Sequence, residues 1–533
     1  MIDFEHFKTG FLELISEYFA NMFVSPTPAV FFPYIVGFFL VFFFIRYYKA
    51  VKPQEGTAEW ITRKLSKPEL SFLFTRFPME KKDIAPLLLI TAFFLILAVF
   101  NLGGFNIVDV TNEIREPAVE RTHFDNLYFD EVYHVRTAVE HLENLNPYEI
   151  SHPPVGKEII AASIVIFGMS PFGWRIAGAV FGILMLVVMY IFVKNMFGKT
   201  SVAACATLLF GFDFMRFVQT RLATIDSFSV LFILLAFFFM YRYMTTDKDA
   251  PFRSSLLSLA LCGIFFGLSV AVKWTGFYAG AGLFIMYCLR LAELGAHYRS
   301  TKEPGYGKYL VKTLLFSLLF FIILPSIVYY ISYIPYGTAR GMTVGGGMLW
   351  SREFFDLVWS NQIFMFNYHS NLVAEHSFSS TWWQWIINAR PILYVHRTIG
   401  DLRATFGAFG NPVISWGGFI AMIIMAIRTF THRDGKALLI LIGYLSQLLP
   451  WVAVSRIVFA YHYFPSTLFL ILALAHLFNT FIERSNISGQ NAAYGYVTVS
   501  GLVFALFYPS LSGMFIPVWY YKELLKWFPS WPF

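Results

Sequence analysis

The chain has 533 residues, of which 57% are apolar, 20% aromatic and only 14% charged, with 62 Phe and a mean hydropathy of +0.59. A soluble domain carries about 45–50% apolar and roughly 25% charged residues, so the composition argues against a soluble globular protein, a disordered chain, a coiled coil or a nucleic-acid-binding module. What remains is an integral membrane protein, in which the net charge of +7 reports orientation before it reports any anionic partner.

The N-terminal stretch lacks the basic start and small-residue cleavage site of a secretory signal. Its Phe4, Phe7, Phe11, Ile15 and Tyr18 recur at helical spacing beside Lys8, Glu13 and Glu17, which predicts a helix lying in the membrane interface. Apolar runs bounded by charge, Pro or Gly then predict twelve spans, near 29–47, 85–103, 174–194, 203–219, 223–243, 255–272, 274–290, 311–332, 411–428, 436–454, 459–478 and 495–512. Segment 48–84 and the turns near 194–199, 241–253, 290–313 and 428–436 are basic and fall on one side, the cytoplasmic one by the positive-inside rule. Both termini, two long segments (104–173 and 333–410) and the tail from Tyr508 then face outward. Cys205, Cys262 and Cys288 each sit in an apolar run, so no disulfide framework or zinc pattern is expected. No internal repeat is apparent, which weighs against a transporter built from duplicated halves.

The first outer loop is acidic and holds most of the candidate chemistry. Val132, Val135, Val139 and Leu142 form an apolar stripe, so an amphipathic surface helix is expected after Asp130. Asp130 at its start reads most simply as an N-cap. The adjacent Glu131 offers a second reading, because neighbouring carboxylates beside a lipid surface raise each other's pKa and suit a general base. His152-Pro153-Pro154 precedes a further helix and matches ordinary helix-start grammar. Further along, Arg175, Arg216, Arg221, Asp226, Lys273, Arg456 and His462 stand at the outer ends of spans. Each alone is explained by snorkelling; several on the face opposite to the basic loops suit an anionic ligand such as a lipid-borne phosphate. Trp382, Trp383 and Trp385 read as an interfacial aromatic belt. His369 and His376 could share a helix face, but no HExxH-type spacing signals a metal.

The pieces FDEVYH (129–134), SHPPVGK (151–157), SPFGWRIAGAVFG (170–182), RLATIDSF (221–228), GLSVAVKWTGFY (267–278), NYHSNL with SSTWWQWIINARPILYV (367–395), GNPVISW (410–416), LPWVAVSRIVFAYHYFP (449–465) and FYPSLSG (507–513), in this order, resemble the protein O-mannosyltransferase family. That resemblance implies an all-α polytopic membrane protein of the GT-C glycosyltransferase fold, with about 12 transmembrane helices and amphipathic helices in the first outer loop. It covers about residues 84–515. Segment 333–410 is too short for the β-trefoil insert of eukaryotic members, so the chain resembles a prokaryotic form. The expected organisation is an N-terminal region (1–83), a catalytic core (84–332) with its catalytic loop at 104–173, an outer loop (333–410) and a four-span C-terminal region with an outward tail (411–533).

The resemblance further implies inverting transfer of mannose from a polyprenyl-phosphate-mannose donor to Ser or Thr hydroxyls of secreted or membrane proteins. The enzyme would lie in the inner or plasma membrane with its site on the periplasmic or extracellular face. Asp130 and Glu131 occupy the acidic pair expected at the acceptor, and Arg175 the position expected at the lipid phosphate, supported by Lys273, Arg456 and His462. His152, Arg221, Asp226, Trp274 and Trp383 are expected to support the site. No cofactor is demanded and no metal is assigned, nucleic acid is not an expected partner, and a dimer stays open. Two other readings are a GT-C transferase with another sugar or a lipid acceptor, resembling the aminoarabinose transferases, and a secondary transporter. An oligosaccharyltransferase would be expected to show WWxD, where this chain has Trp382-Trp383-Gln384-Trp385.

Overall fold

Eleven helices among the described residues are long and apolar enough to cross a membrane. This computed structural model describes residues 27–51, 76–103, 127–302 and 304–533, with Thr9, Gly10, Leu12, Glu13, Ser16, Glu17 and Ala20. Those seven residues are helical. The apolar stripe expected at Phe4, Phe7, Phe11, Ile15 and Tyr18 lies outside the described residues, as do the basic loop 52–75 and the loop acids Asp109, Glu113, Glu116, Glu120 and Asp125.

The long helices begin with α1 (Pro28–Val51) and α2 (Lys81–Val99). Two shorter helices follow, α3 (Glu131–Leu142) and α4 (Val155–Phe167), where surface helices were expected. The span α5 (Pro171–Phe197) comes next. The span expected at 203–219 is broken into α6 (Thr200–Gly211) and α7 (Phe214–Gln219). Asp213 causes the break by capping Arg216 N–H at the start of α7, and the Arg216 guanidinium donates to the carbonyls of Phe210 and Gly211, which end α6. The chain still crosses here, because Lys199 joins one end of the bundle and Asp226 the other. Beyond it stand α8 (Asp226–Met244), α9 (Arg253–Val272), α10 (Gly276–Thr301), and α11 (Tyr306–Leu318), which runs through a π-turn into α12 (Leu324–Ile331). The surface helix α13 (Arg352–Asn371) precedes α14 (Pro412–His432), α15 (Gly435–Leu448), α16 (Phe464–Ser485) and α17 (Ile487–Ser512).

Burial ranks these helices. The apolar windows of α16 and α8 are 89% and 83% buried and form the middle of the bundle, whereas that of the α11–α12 segment has no fully buried residue and lies at its edge. At one end of the bundle the basic turns are tied together. Lys194 pairs with Asp83 at 3.1 Å with neither side chain exposed, and Lys199 reaches Glu483 at 2.7 Å. Asp434 takes both Arg428 and His476, at 2.8 and 2.9 Å. At the opposite end, Arg175 near the start of α5 meets Glu131 at the start of α3 in a two-pronged pair of 2.8 and 2.7 Å, again with neither side chain exposed.

One feature of segment 333–410 departs from an all-helical loop. Residues β1 (Ile392–Ile399) and β2 (Leu402–Ala408) pair antiparallel around Gly400-Asp401, and β3 (Ile516–Pro517) from the tail adds to β2. Gly400 takes φ +56°, and a two-residue Gly-Asp turn between β-branched and aromatic runs is a hairpin signal. The hairpin packs its buried residues Ile392, Leu393, Ala404 and Phe406 into the main core, which fixes the loop against the bundle.

Removing one partner of a fully buried ion pair strands the other, at a cost of about 3–5 kcal/mol. Arg175→Ala is therefore expected to lower the thermal unfolding midpoint in detergent far more than Lys199→Ala. The Lys199–Glu483 pair is partly solvated, and such pairs contribute at most about 1 kcal/mol. Equal shifts for the two variants would contradict this assignment.

Candidate active site

Asp130 is the N-cap residue of α3 by position, yet its side chain makes no capping hydrogen bond. The neighbouring acid is used instead. Glu131 accepts from Tyr128 N–H, from Ala223 N–H and from the Arg175 guanidinium. Phe129, between them, is held at φ +52°, a conformation that costs energy for an aromatic residue. Its ring is held against Tyr394 at 5.0 Å and Phe459 at 5.8 Å. This distorted turn separates the two carboxyls, Glu131 turning inward to the arginine and Asp130 into a cavity of about 550 Å³.

That cavity gathers residues far apart in the chain. Asp226 opens α8 and Lys273 follows the end of α9; they face each other at 2.7 Å. Arg456 and His462 come from the turn between α15 and α16, His152 from the turn before α4, and His369 from the end of α13. Tyr461 donates to Asp130 at 3.4 Å. Burial drives the Asp130 carboxyl up to about 7, against the pull of the Lys273 ammonium. Asp226 and Glu149 push in the same direction as burial.

The histidines are arranged by a buried anchor. Glu149 accepts from Lys157 Nζ at 2.7 Å and from His152 Nδ1–H at 3.0 Å, and Lys157 also reaches the Glu149 and His152 carbonyls. The helix-start reading of His152-Pro153-Pro154 and a site role for His152 thus coexist: α4 begins at Val155, and the imidazole lines the cavity. Burial lowers His152, and lowers His134 and His369 to about 3 and 4, so all three rings are neutral near pH 7. His369 Nε2 is bonded to Ser151 O at 2.8 Å. Its Nδ1 and that of His134 are buried without a hydrogen-bond partner among the described residues. Neutral imidazoles and tyrosines can exchange hydrogen bonds with hydroxyl groups. His134, Glu149 and the imidazole orientations escape sequence reading; Glu149 and Lys157 flanking SHPP were the available signal.

A second cavity of about 520 Å³ adjoins the first and shares His152, Lys273, His369 and Arg456 with it. Its remaining wall is largely aromatic, with Trp274, Phe277, Tyr278, Phe366 and Trp451. Trp274 is fixed by donating to Tyr329 at 3.0 Å.

The other expected site residues stand elsewhere. Arg175 lies behind the cavity, committed to Glu131, donating also to Leu102 O, and stacked on Tyr128 at 4.8 Å. Arg221 donates to the Leu97 and Phe100 carbonyls, at the end of α2. Neither lines the Asp130 cavity. Trp383 lines a third cavity beside it. His369 and His376 do not share a helix, since α13 ends at Asn371. Among the described residues, no group of three or more His, Cys, Asp or Glu side chains is placed to hold a metal.

Residues 162–335 match the dolichyl-phosphate-mannose-protein mannosyltransferases, and residues 354–531 match the C-terminal four TMM region of protein-O-mannosyltransferase. A polyprenol-phosphate-mannose–protein mannosyltransferase of Mycolicibacterium smegmatis is 28% identical over 430 residues, which cover 72% of this chain and 82% of that one. Its namesake from Mycobacterium tuberculosis is 24% identical over 469 residues, covering 76% and 86%. In fold, the chain is similar to the Saccharomyces cerevisiae Pmt1-Pmt2 protein O-mannosyltransferase complex bound to the sugar donor. The TM-score is 0.69 at 14% identity, covering 87% of this chain and 94% of that one. Two adjacent stretches of one family pattern thus account for most of the membrane bundle, and the chain belongs to the protein O-mannosyltransferase family.

Proposed function

We propose that the protein transfers mannose from a polyprenyl-phosphate-mannose donor to Ser or Thr hydroxyls of proteins on the outer face of the membrane. The observation that carries this reading is the Asp130 carboxyl. It is spared from capping, raised to about 7 by burial, and set in one cavity with Lys273 and Arg456. A base must take the acceptor proton while positive charge meets the departing phosphate. An inverting displacement places these on opposite faces of the sugar.

Asp130 takes the acceptor proton, and a carboxyl near neutrality suits that task at physiological pH. Lys273 and Arg456 meet the phosphate, where the aromatic cavity adjoins the catalytic one. There Trp274, Tyr278 and Trp451 receive the first part of the prenyl chain. Arg456 offers a guanidinium with no ion pair among the described residues and can grip the phosphate with two donors. Charge accumulating on the phosphate as the C1–O bond breaks is then stabilised by these fixed cations. A phosphate leaving group needs no general acid. His134, His152 and His369 hold sugar hydroxyls as neutral partners. Glu131 and Arg175 act one layer back by fixing the turn that aims Asp130. The outer-face assignment is supported by the basic turns tied together at the opposite end of the bundle.

Purified protein given polyprenyl-phosphate-mannose and a Ser/Thr peptide is expected to form a mannosyl peptide. Asp130→Asn should lose about 10²–10⁴-fold in rate while still binding donor. No transfer by the parent would overturn the function, and full activity of the variant would overturn the base. Arg456→Ala should raise the donor KM about 10–100-fold, the worth of a charge-assisted hydrogen bond, with partial recovery in Arg456→Lys. An unchanged donor KM would remove Arg456 from the phosphate.

A further inference from the structure

The largest of the three adjoining cavities, about 1010 Å³, touches the aromatic one at Ser455 and Arg456 but differs from it in chemistry. It meets the catalytic cavity at Arg456 and Ile457, which line both. It also comes close to Asp130 through His376, whose ring lies 6.1 Å from that of Phe129 and 5.1 Å from that of Phe459. One wall is the loop 374–381, which turns at Ser377-Phe378, with Trp383, pinned where Ser380 N–H donates to Val458 O at 2.9 Å. The other wall is the N-terminal helical stretch, through Gly10, Glu13 and Glu17. A Cβ at Gly10 would lie 3.2 Å from the Trp383 ring, so the missing side chain lets this stretch approach the indole closely. The stretch lies outside both matched family segments, 162–335 and 354–531.

The charges differ in kind from those next to the aromatic cavity. Glu13 and Glu17 face this space from one side and Glu375 from the other; all three are exposed and have no ion pair among the described residues. Of the lining arginines, Arg390 is turned to Ser377 O at 2.9 Å and Arg456 sits at the catalytic junction. An anionic lipid head group would be repelled here, whereas a cationic polypeptide would be drawn in. A Ser or Thr hydroxyl stands one carbon from the backbone, so an acceptor must bring its main chain to the cavity mouth and continue along an open groove. Of these three cavities, the 1010 Å³ one combines that continuity with a lining that lacks the prenyl-type aromatic wall.

We propose that this cavity is the acceptor channel and that Glu13 and Glu17, with Glu375 opposite, form its selective walls, favouring extended segments with Lys or Arg beside the Ser or Thr that receives the sugar. This rests on the function proposed above. The test compares mannosyl transfer to two peptides that differ only in flanking residues, lysine in one and glutamate in the other. The parent should prefer the lysine-flanked peptide. The double variant Glu13→Lys, Glu17→Lys should change the ratio of the two kcat/KM values by about tenfold or more toward the glutamate-flanked peptide, as expected when two solvated charge pairs change sign. Glu375→Lys, on the opposite wall, should shift the ratio in the same direction. A folding defect lowers both rates together and leaves the ratio in place. A parent with no preference, or variants that keep the parent ratio, would overturn the channel while leaving the transferase reading intact. Failure of the parent to mannosylate either peptide would overturn both.

Discussion

Two charges without access to water, on Glu131 and Arg175, determine what the neighbouring carboxyl can do. A buried ion pair gives little net stability, because desolvating the two groups offsets most of their attraction. Its value here is geometric. The guanidinium takes both Glu131 oxygens, and Ala223 N–H and Tyr128 N–H complete the shell. The first turn of α3 is thereby locked to α5 and to the turn before α8. With Glu131 held inward and Phe129 forced to positive φ, Asp130 is left over the cavity with no backbone donor to satisfy it. Adjacent carboxylic acids thus acquire different work, one structural and one proposed as chemical, through the partners each one meets.

The same distinction sorts the cations. Arg216 and Arg221 donate to carbonyls at the ends of α6 and α2, where a helix exposes unsatisfied acceptors and the negative end of its dipole. Their positive charge serves the broken crossing and the bundle. Lys273 and Arg456 instead line the cavities, the first balanced by Asp226 and the second without an ion pair among the described residues. An arginine deep in the bundle is therefore no guide to ligand binding until the groups it faces are known. Three cavities converge at Arg456. A reaction joining a lipid-borne donor to a protein acceptor needs separate approaches of this kind.

Much of this was legible in the sequence, and the illegible parts have a common cause. Long apolar runs are set by the thickness of the bilayer, so the spans could be located, although α10 and α16 run on to Thr301 and Ser485 and α17 begins at Ile487, well beyond the bounds read from the apolar runs near 274–290, 459–478 and 495–512. At 203–219, Asp213 and Arg216 interrupt the helix by hydrogen bonds that composition cannot reveal. Asp226, Lys273, Arg456 and His462 could be singled out as charges costly at their depth, and Asp130 by its place beside Glu131 at the start of an amphipathic helix; the fold gathers all five around one cavity. Depth does not name a partner, however, and so Arg175 and Arg221 looked equivalent to Lys273 and Arg456. The Gly400-Asp401 turn carried a hairpin signal that a search for spans passed over. His134 and Glu149 read as ordinary members of an acidic amphipathic loop, because their significance arises from packing against His152, Lys157 and the Asp130 cavity.

The central claim is that Asp130, desolvated and unpaired by backbone, is the group that must lose a proton for transfer to begin. The pH dependence of kcat/KM for mannosyl transfer to a neutral Ser/Thr peptide tests it most directly. With a carboxyl raised to about 7, the base form is scarce in acid, so kcat/KM should rise about tenfold per pH unit below 7 and level off above it. A rate already constant from pH 5 upward would contradict the account.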